Sequence, residues 1–165
     1  MDFREFLKNN FVILDGGMGS LLQKRGMQPG ELPERWNISH NDVIIDIQKS
    51  YYDAGSNVVN TNTFGANRLH YEDEKELEAV IVAAIRNARE AAKQSNTPWE
   101  KFVALDIGPS GKLLKPYGDL EFEDAVELFA QIVRIGAKEG VDLVTIETMN
   151  DSYETKAALL AVKEN

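Results

Sequence analysis

The sequence contains no cysteine, which excludes disulfides and thiolate metal ligands within these 165 residues. Histidine is nearly as scarce. His40 and His70 are the only two; they are not spaced as a metal pair, and both read as surface residues in or beside polar segments. Positive charge is in deficit: 18 Lys and Arg against 27 Asp and Glu leave a net charge of −9. That excludes the basic stripe a nucleic-acid partner requires. No apolar run approaches the ~18 residues of a membrane span, so no membrane partner is expected. The opening Met1-Asp2-Phe3-Arg4-Glu5 is charged and leads into no apolar signal core, so the cytoplasm is the expected location. What is present suits a single globular domain, with a hydrophobic fraction of 43% that argues against disorder.

Short apolar runs alternate with longer amphipathic stretches. Phe11-Val12-Ile13-Leu14, Asn57 to Asn62, Phe102-Val103-Ala104-Leu105 and Leu143-Val144-Thr145-Ile146 read as four buried parallel strands. Between them, helical periodicity predicts a helix from Ser39 with Asp42 in a capping-box arrangement, ending at Gly55. Further helices are expected over Glu74 to Lys93, over Phe122 to Lys138 with Gly140 as the stop, and from Ser152 onward. Asp151 would cap the last of these and Glu154 would reach back. A short helix around Ser20 to Lys24 follows the first run. Ala54-Gly55-Ser56-Asn57-Val58-Val59 is echoed by Glu139-Gly140-Val141-Asp142-Leu143-Val144, each a helix end, glycine cap and strand start. Two long loops, residues 26–38 and 110–120, fall where barrel enzymes place function, and Trp36 and Trp99 are expected to anchor loops.

Strand–helix alternation implies a parallel sheet with right-handed crossovers. An open sheet would carry helices on both faces. A barrel would gather polar strand ends at one rim, and here the runs end in Asp15, Asn62 or Thr63, Asp106 and Glu147, which favours the barrel.

Four motifs hold the polar residues. Asp15-Gly16-Gly17-Met18-Gly19-Ser20 is either a tight strand-to-helix turn or an anion cradle; its spacing fits neither a P-loop nor a dinucleotide fingerprint. In Asn60-Thr61-Asn62-Thr63-Phe64-Gly65-Ala66-Asn67 the threonines share one face, to meet a ligand or to hydrogen-bond between strands. Asp106-Ile107-Gly108-Pro109-Ser110-Gly111 reads as a shaped loop in which Asp106 pairs within the core. Glu147 ends an apolar strand and needs either a cationic ligand group or a structural Lys or Arg.

Taken in order, these motifs resemble the homocysteine S-methyltransferase family, which includes the homocysteine-binding module of cobalamin-dependent methionine synthase and the betaine-dependent enzymes. The matches are Leu14 to Gly19, Asn60 to Ala66, Asp106 to Gly111 and Ile146-Glu147-Thr148. The resemblance implies a (β/α)8 barrel of which residues 1–165 are the N-terminal half, its first four βα units. It implies transfer of a methyl group to the homocysteine thiolate to form methionine, with zinc holding the thiolate and methylcobalamin or another donor supplying the methyl. By motif match, Asp15 and Glu147 would hold the substrate amino group. Backbone near Gly16 and the side chains of Thr61 and Thr63 would seat the amino-acid end, and Phe64 would wall the pocket. The family's zinc cysteines lie on later strands, so these residues supply no metal ligand and no catalytic residue, and the chain alone is expected to be inactive. Half a barrel leaves open strand edges, to be covered by the missing half or by a homo-oligomer. A different class of function is a non-catalytic oligomeric α/β scaffold or small-molecule-binding domain, which would ignore homocysteine.

Overall fold

Short apolar runs become parallel strands, and the amphipathic stretches become the helices between them. The computed structural model describes residues 2–165. In chain order they form α1 (Phe3–Leu7), α2 (Gly19–Lys24), a 3-10 turn (Pro33–Arg35), α3 (Trp36–Ser39), α4 (Asn41–Ala54), β1 (Val58–Asn60), α5 (Glu74–Gln94), β2 (Phe102–Ile107), α6 (Phe122–Glu139), β3 (Leu143–Ile146) and α7 (Ser152–Glu164). The sheet order is β1-β2-β3, all parallel, with Val58 opposite Phe102 and Ala104 opposite Leu143. Among the described residues no helix is long and apolar enough to cross a membrane.

The glycine stops hold: Gly55 (φ 115°) and Gly140 (φ 74°) close α4 and α6 in the left-handed conformation that side chains with a Cβ resist. The repeat around them has a structural cause. Asn57 Oδ1 accepts the Ile13 amide (3.2 Å) and Asp142 Oδ2 accepts the Val103 amide (2.7 Å), so each residue caps the strand beside it. The capping box at Ser39 does not form. Ser39 closes α3 and donates its hydroxyl back to Arg35 O (3.2 Å), while His40 (φ −139°) breaks the helix before α4. Asp151 does cap α7 by accepting the Tyr153 amide (2.7 Å), but Glu154 turns away into the protein. Loop 26–38 is partly helical: it holds the 3-10 turn and most of α3, where buried Trp36 stacks on exposed His40. Trp99 is half exposed and pins its loop by donating Nε1–H to Tyr52 O (3.3 Å).

The pleat sorts the strand residues onto two faces. Leu105 and Ile107 of β2 and Val144 and Ile146 of β3 pack against α5, α6 and α7 in the main core. The alternate residues Val58, Phe102, Ala104 and Leu143 pack instead with Phe6 of α1, whose ring lies 5.3 Å from that of Phe102. Helix α1 thus plugs the amino ends of the strands. Helices α4, α5, α6 and α7 pack each on the next in chain order. That is the single outer layer of a barrel, and the open sheet with helices on both faces is excluded.

The first apolar run departs from expectation. Phe11 to Leu14 was expected as a buried strand, yet it contributes only an isolated parallel bridge, Leu14 to Val58, and the sheet has three strands. It still runs beside β1, with the Asn57 and Val58 amides both donating to Ile13 O and the Asp15 amide donating to Val58 O. The next rung is lost because the Asn60 amide donates to the carboxylate of Asp15 (2.8 Å) where a ladder would use a backbone carbonyl. Burial fails too: Phe11 is 96% exposed, Ile13 56% and Leu14 51%. At the other edge β3 is only half-buried.

Candidate functional site

On the inward face, the apolar layer of Val58, Phe102, Ala104 and Leu143 gives way toward the carboxyl ends of the strands to Asn60, Asp106, Thr145 and Glu147. These polar residues line a cavity of about 610 Å³ that also takes in Asp15 to Gly19, Glu34, Thr61, Asn62, Phe64 and His70. No Lys or Arg lines it. Strand ends at one rim are where this architecture gathers its chemistry.

Three carboxyl groups on the inner wall come from the first run, β2 and β3, with Asn60 of β1 between the first two. Asp15 follows the first run, and its oxygens accept the Asn60 amide (2.8 Å) and the Asn60 Nδ2–H (3.3 Å). Burial lifts its pKa from 3.8 to about 6 against the lowering effect of the Asn60 and Asp15 backbone amides, and the charge of Glu147 adds to the rise. Asp106, on β2, is only 6% exposed and its Oδ1 has no hydrogen-bond partner. Burial, then the charges of Glu147 and Asp15, push its pKa up to about 8. A hydrogen bond shared with the Glu147 side chain adds to the rise, so the partner of Asp106 is another acid rather than a base. Glu147 lies just past β3, followed by Thr148 at φ 59°. A β-branched residue in that region is strained, and such strain collects at functional rims.

The other expected residues divide by what they do. Gly16 lines the cavity, and a Cβ there would sit 2.9 Å from the Tyr51 hydroxyl, which itself donates to Gly17 O (3.1 Å). Thr61 and Thr63 are buried and joined through their hydroxyls (2.7 Å). Thr63 Oγ1 donates to Asp106 O (2.8 Å) and Thr61 Oγ1 accepts the Asp106 amide (3.2 Å). The pair clamps the end of β1 to the backbone of Asp106; Thr61 borders the cavity and Thr63 lies behind it. Phe64 is 40% exposed and stands on the cavity wall with its ring over Gly108, where a Cβ would come within 2.6 Å. Asp15, Gly16, Thr61, Phe64 and Glu147 thus share one cavity.

Sequence reasoning missed the supports. Buried Glu34 accepts the Gly65 amide (2.7 Å) and the Tyr71 hydroxyl (3.2 Å), tying the 3-10 turn to the Phe64 loop. Nothing in Pro33-Glu34-Arg35 announces this. Buried Glu154 of α7 accepts both the amide (2.7 Å) and the hydroxyl (2.5 Å) of Ser110, fixing the loop after β2. Exposed His70 lies at the cavity edge with Nδ1 2.8 Å from Gly65 O, so that nitrogen carries the proton.

A partial (β/α)8 barrel with an acidic, cation-free cavity at the carboxyl ends of its strands defines a small-molecule site of barrel type. The family model described as homocysteine S-methyltransferase matches residues 12–165, and the chain belongs to that family. The chain is also similar to solved structures of the homocysteine methyltransferase MmuM from Escherichia coli. The oxidized form aligns with a TM-score of 0.85 at 22% identity, over 98% of this chain and 61% of that one. The metallated form gives 0.82 at 21%, over 98% and 62%, and the apo form 0.75 at 23%, over 98% and 58%. The chain therefore spans about three fifths of the length of these structures.

The family resemblance implies a zinc ion, and the residues here do not fit one. There is no cysteine. Among the described residues no group of three or more His, Cys, Asp or Glu side chains is placed to hold a metal ion.

Proposed function

We propose that residues 1–165 form the N-terminal half of a homocysteine-binding barrel and supply the side of its site that grips the amino-acid end of homocysteine. The observation that carries this is the meeting of Asp15, Asp106 and Glu147 in a cavity lined by no Lys or Arg. Carboxyl groups held out of water without a counter-charge are costly, and an ammonium group offsets that cost. Asp15 and Glu147 hold the ammonium. Backbone amides near Gly16 seat the carboxylate end, the clamp of Thr61 and Thr63 supports that wall from behind, and Phe64 closes it beside the aliphatic chain.

Methyl transfer to the homocysteine sulfur, giving methionine, needs groups these residues do not include. The cysteine-held zinc and the contact for the methyl donor, methylcobalamin or another, fall to residues outside this chain, and the chain alone binds without transferring. The exposed Phe11, Ile13 and Leu14 and the half-buried β3 mark the two edges that the rest of a barrel, or a second copy, would cover. Those same edges favour a second reading, a scaffold that assembles through them and ignores homocysteine.

Calorimetric titration with homocysteine and with 4-mercaptobutanoate, which lacks the amine, separates the two. Homocysteine should bind at least ~10-fold more tightly, and Asp15→Asn or Glu147→Gln should remove most of that preference. Equal affinity for both compounds, or none for either, would refute the amine site.

A further inference from the structure

We infer that Glu34 is a positioning residue for the amino-acid site: its carboxylate fixes the Phe64 wall and so sets the length of side chain that the site accepts. The inference rests on the amine site proposed above and adds to it a control on chain length.

The peptide that follows Phe64 is held at both ends. Its carbonyl, Phe64 O, accepts the Gly108 amide (3.1 Å), and its N–H, that of Gly65, donates to Glu34 Oε1 (2.7 Å). The next carbonyl, Gly65 O, accepts His70 Nδ1–H (2.8 Å). The Phe64 ring lies against Gly108, where a Cβ would come within 2.6 Å of it. Two anchors therefore set this wall: the loop after β2, through Gly108, and the 3-10 turn, through Glu34. Gly65 lets the carboxylate close in, since a Cβ there would stand 3.0 Å from Oε1.

Glu34 is 2% exposed, and its other oxygen accepts the Tyr71 hydroxyl (3.2 Å). Arg35 does not neutralise it; that side chain turns to Glu76 (2.8 Å). The carboxylate is thus spent on a backbone amide and a phenol, in charge-assisted hydrogen bonds about twice as strong as neutral ones. The segment needs such a tie. Leu32 borders both the site cavity and a second, outer cavity of about 670 Å³, so the chain there has open space on either side. Asn62 Nδ2–H, donating to Pro33 O (2.8 Å), and the Gly65 amide, donating to Glu34, hold it in place. With the ammonium fixed by Asp15 and Glu147, the wall beside the aliphatic chain decides which length fits. One methylene against such a wall changes affinity by about 10-fold or more.

The test is calorimetric titration of the full chain with homocysteine, with cysteine, which is one methylene shorter, and with 4-mercaptobutanoate. Unmutated protein should bind homocysteine at least about 10-fold more tightly than cysteine. Glu34→Ala should cut that ratio to less than about twofold, while homocysteine stays preferred over 4-mercaptobutanoate because Asp15 and Glu147 are untouched. Glu34→Gln keeps a neutral acceptor for the Gly65 amide and should restore a ratio of about three- to fivefold. Gly65→Ala crowds the carboxylate from the other side without removing a buried partner; it should lower the ratio by at least about threefold, and it carries the test if Glu34→Ala does not fold. An unchanged ratio in a folded Glu34→Ala protein or in Gly65→Ala would overturn the inference, as would equal affinity of the unmutated protein for homocysteine and cysteine; the amine site stands in each case while homocysteine outbinds 4-mercaptobutanoate. Glu34→Ala lowering both preferences by the same factor would also overturn it, because Glu34 would then be a general support of the fold. Loss of the amine preference in the unmutated protein would remove both the amine site and this control.

Discussion

Unliganded protein should lose stability as the pH rises from 5 to 8, the reverse of what salt-bridged carboxylates produce. Asp15 has a folded pKa of about 6 against 3.8 unfolded, so the folded state holds its proton to higher pH. Stability from that difference is complete below 3.8 and is lost as the pH climbs through 6. The full difference is worth about 3 kcal/mol, of which about 1.4 kcal/mol disappears between pH 5 and 8. Asp106 acts in the same direction over a higher window. The carboxylates shifted the other way, Asp53 and Glu127, act at and below their ordinary range of 3.8 to 4.5 and leave this window clear. Tyr52, raised by burial, matters only in strong alkali. For a chain of this length the change should appear as a fall in Tm of at least about 3–6 °C in melts at pH 5, 6, 7 and 8. The double variant Asp15→Asn, Asp106→Asn should flatten the curve. A Tm that holds or rises over that range in the unmutated protein would refute the claim that these two acids are buried without a counter-charge.

Two supports of the site give further outcomes. Gly108→Ala places a Cβ 2.6 Å from the Phe64 ring, but that ring is 40% exposed and can swing outward. The cost in urea unfolding should therefore be only about 1 kcal/mol, with a larger proportional loss in homocysteine affinity; unchanged affinity would mean that Phe64 does not wall the site. Glu154→Ala strands both the amide and the hydroxyl of buried Ser110 and should cost about 2–4 kcal/mol, whereas Glu154→Gln keeps an acceptor and should cost less. Equal losses for the two variants in the same urea assay would show that the packing of the side chain matters more than its hydrogen bonds.

The helices were legible because each carries its own signals: a 3.6-residue apolar stripe and, for α4 and α6, a glycine whose left-handed conformation the structure reproduces. The strands were legible only as apolar runs. Phe11 to Leu14 has the composition of a buried strand, but burial depends on what lies opposite, and no local pattern reports that. Its missing ladder has an equally non-local cause, a side chain four positions past Phe11 taking an amide from a residue 45 positions further on. Ser39 failed as a cap for a local reason that residue type conceals: the same hydroxyl can serve the helix before it or the helix after it.

The site shows the same division more sharply. Polar residues at the ends of apolar runs marked Asp15, Asp106 and Glu147 at once, because an acid in such a run has no local reason to be there. Sequence could not distinguish a paired acid from an unpaired one. Asp106 sits in Phe102-Val103-Ala104-Leu105-Asp106-Ile107, where a core hydrogen bond is the ordinary expectation, and only the arrangement in space makes its partner another acid, Glu147, and leaves its Oδ1 without one. Thr61 and Thr63 show the converse. Their spacing left open hydroxyls offered to a ligand or hydrogen bonds between strands, and the structure has the second, with the hydroxyls bonded to each other and to the backbone of Asp106. Hydroxyls already committed to that backbone fix Asp106 beside Glu147 and have no proton left to offer a ligand.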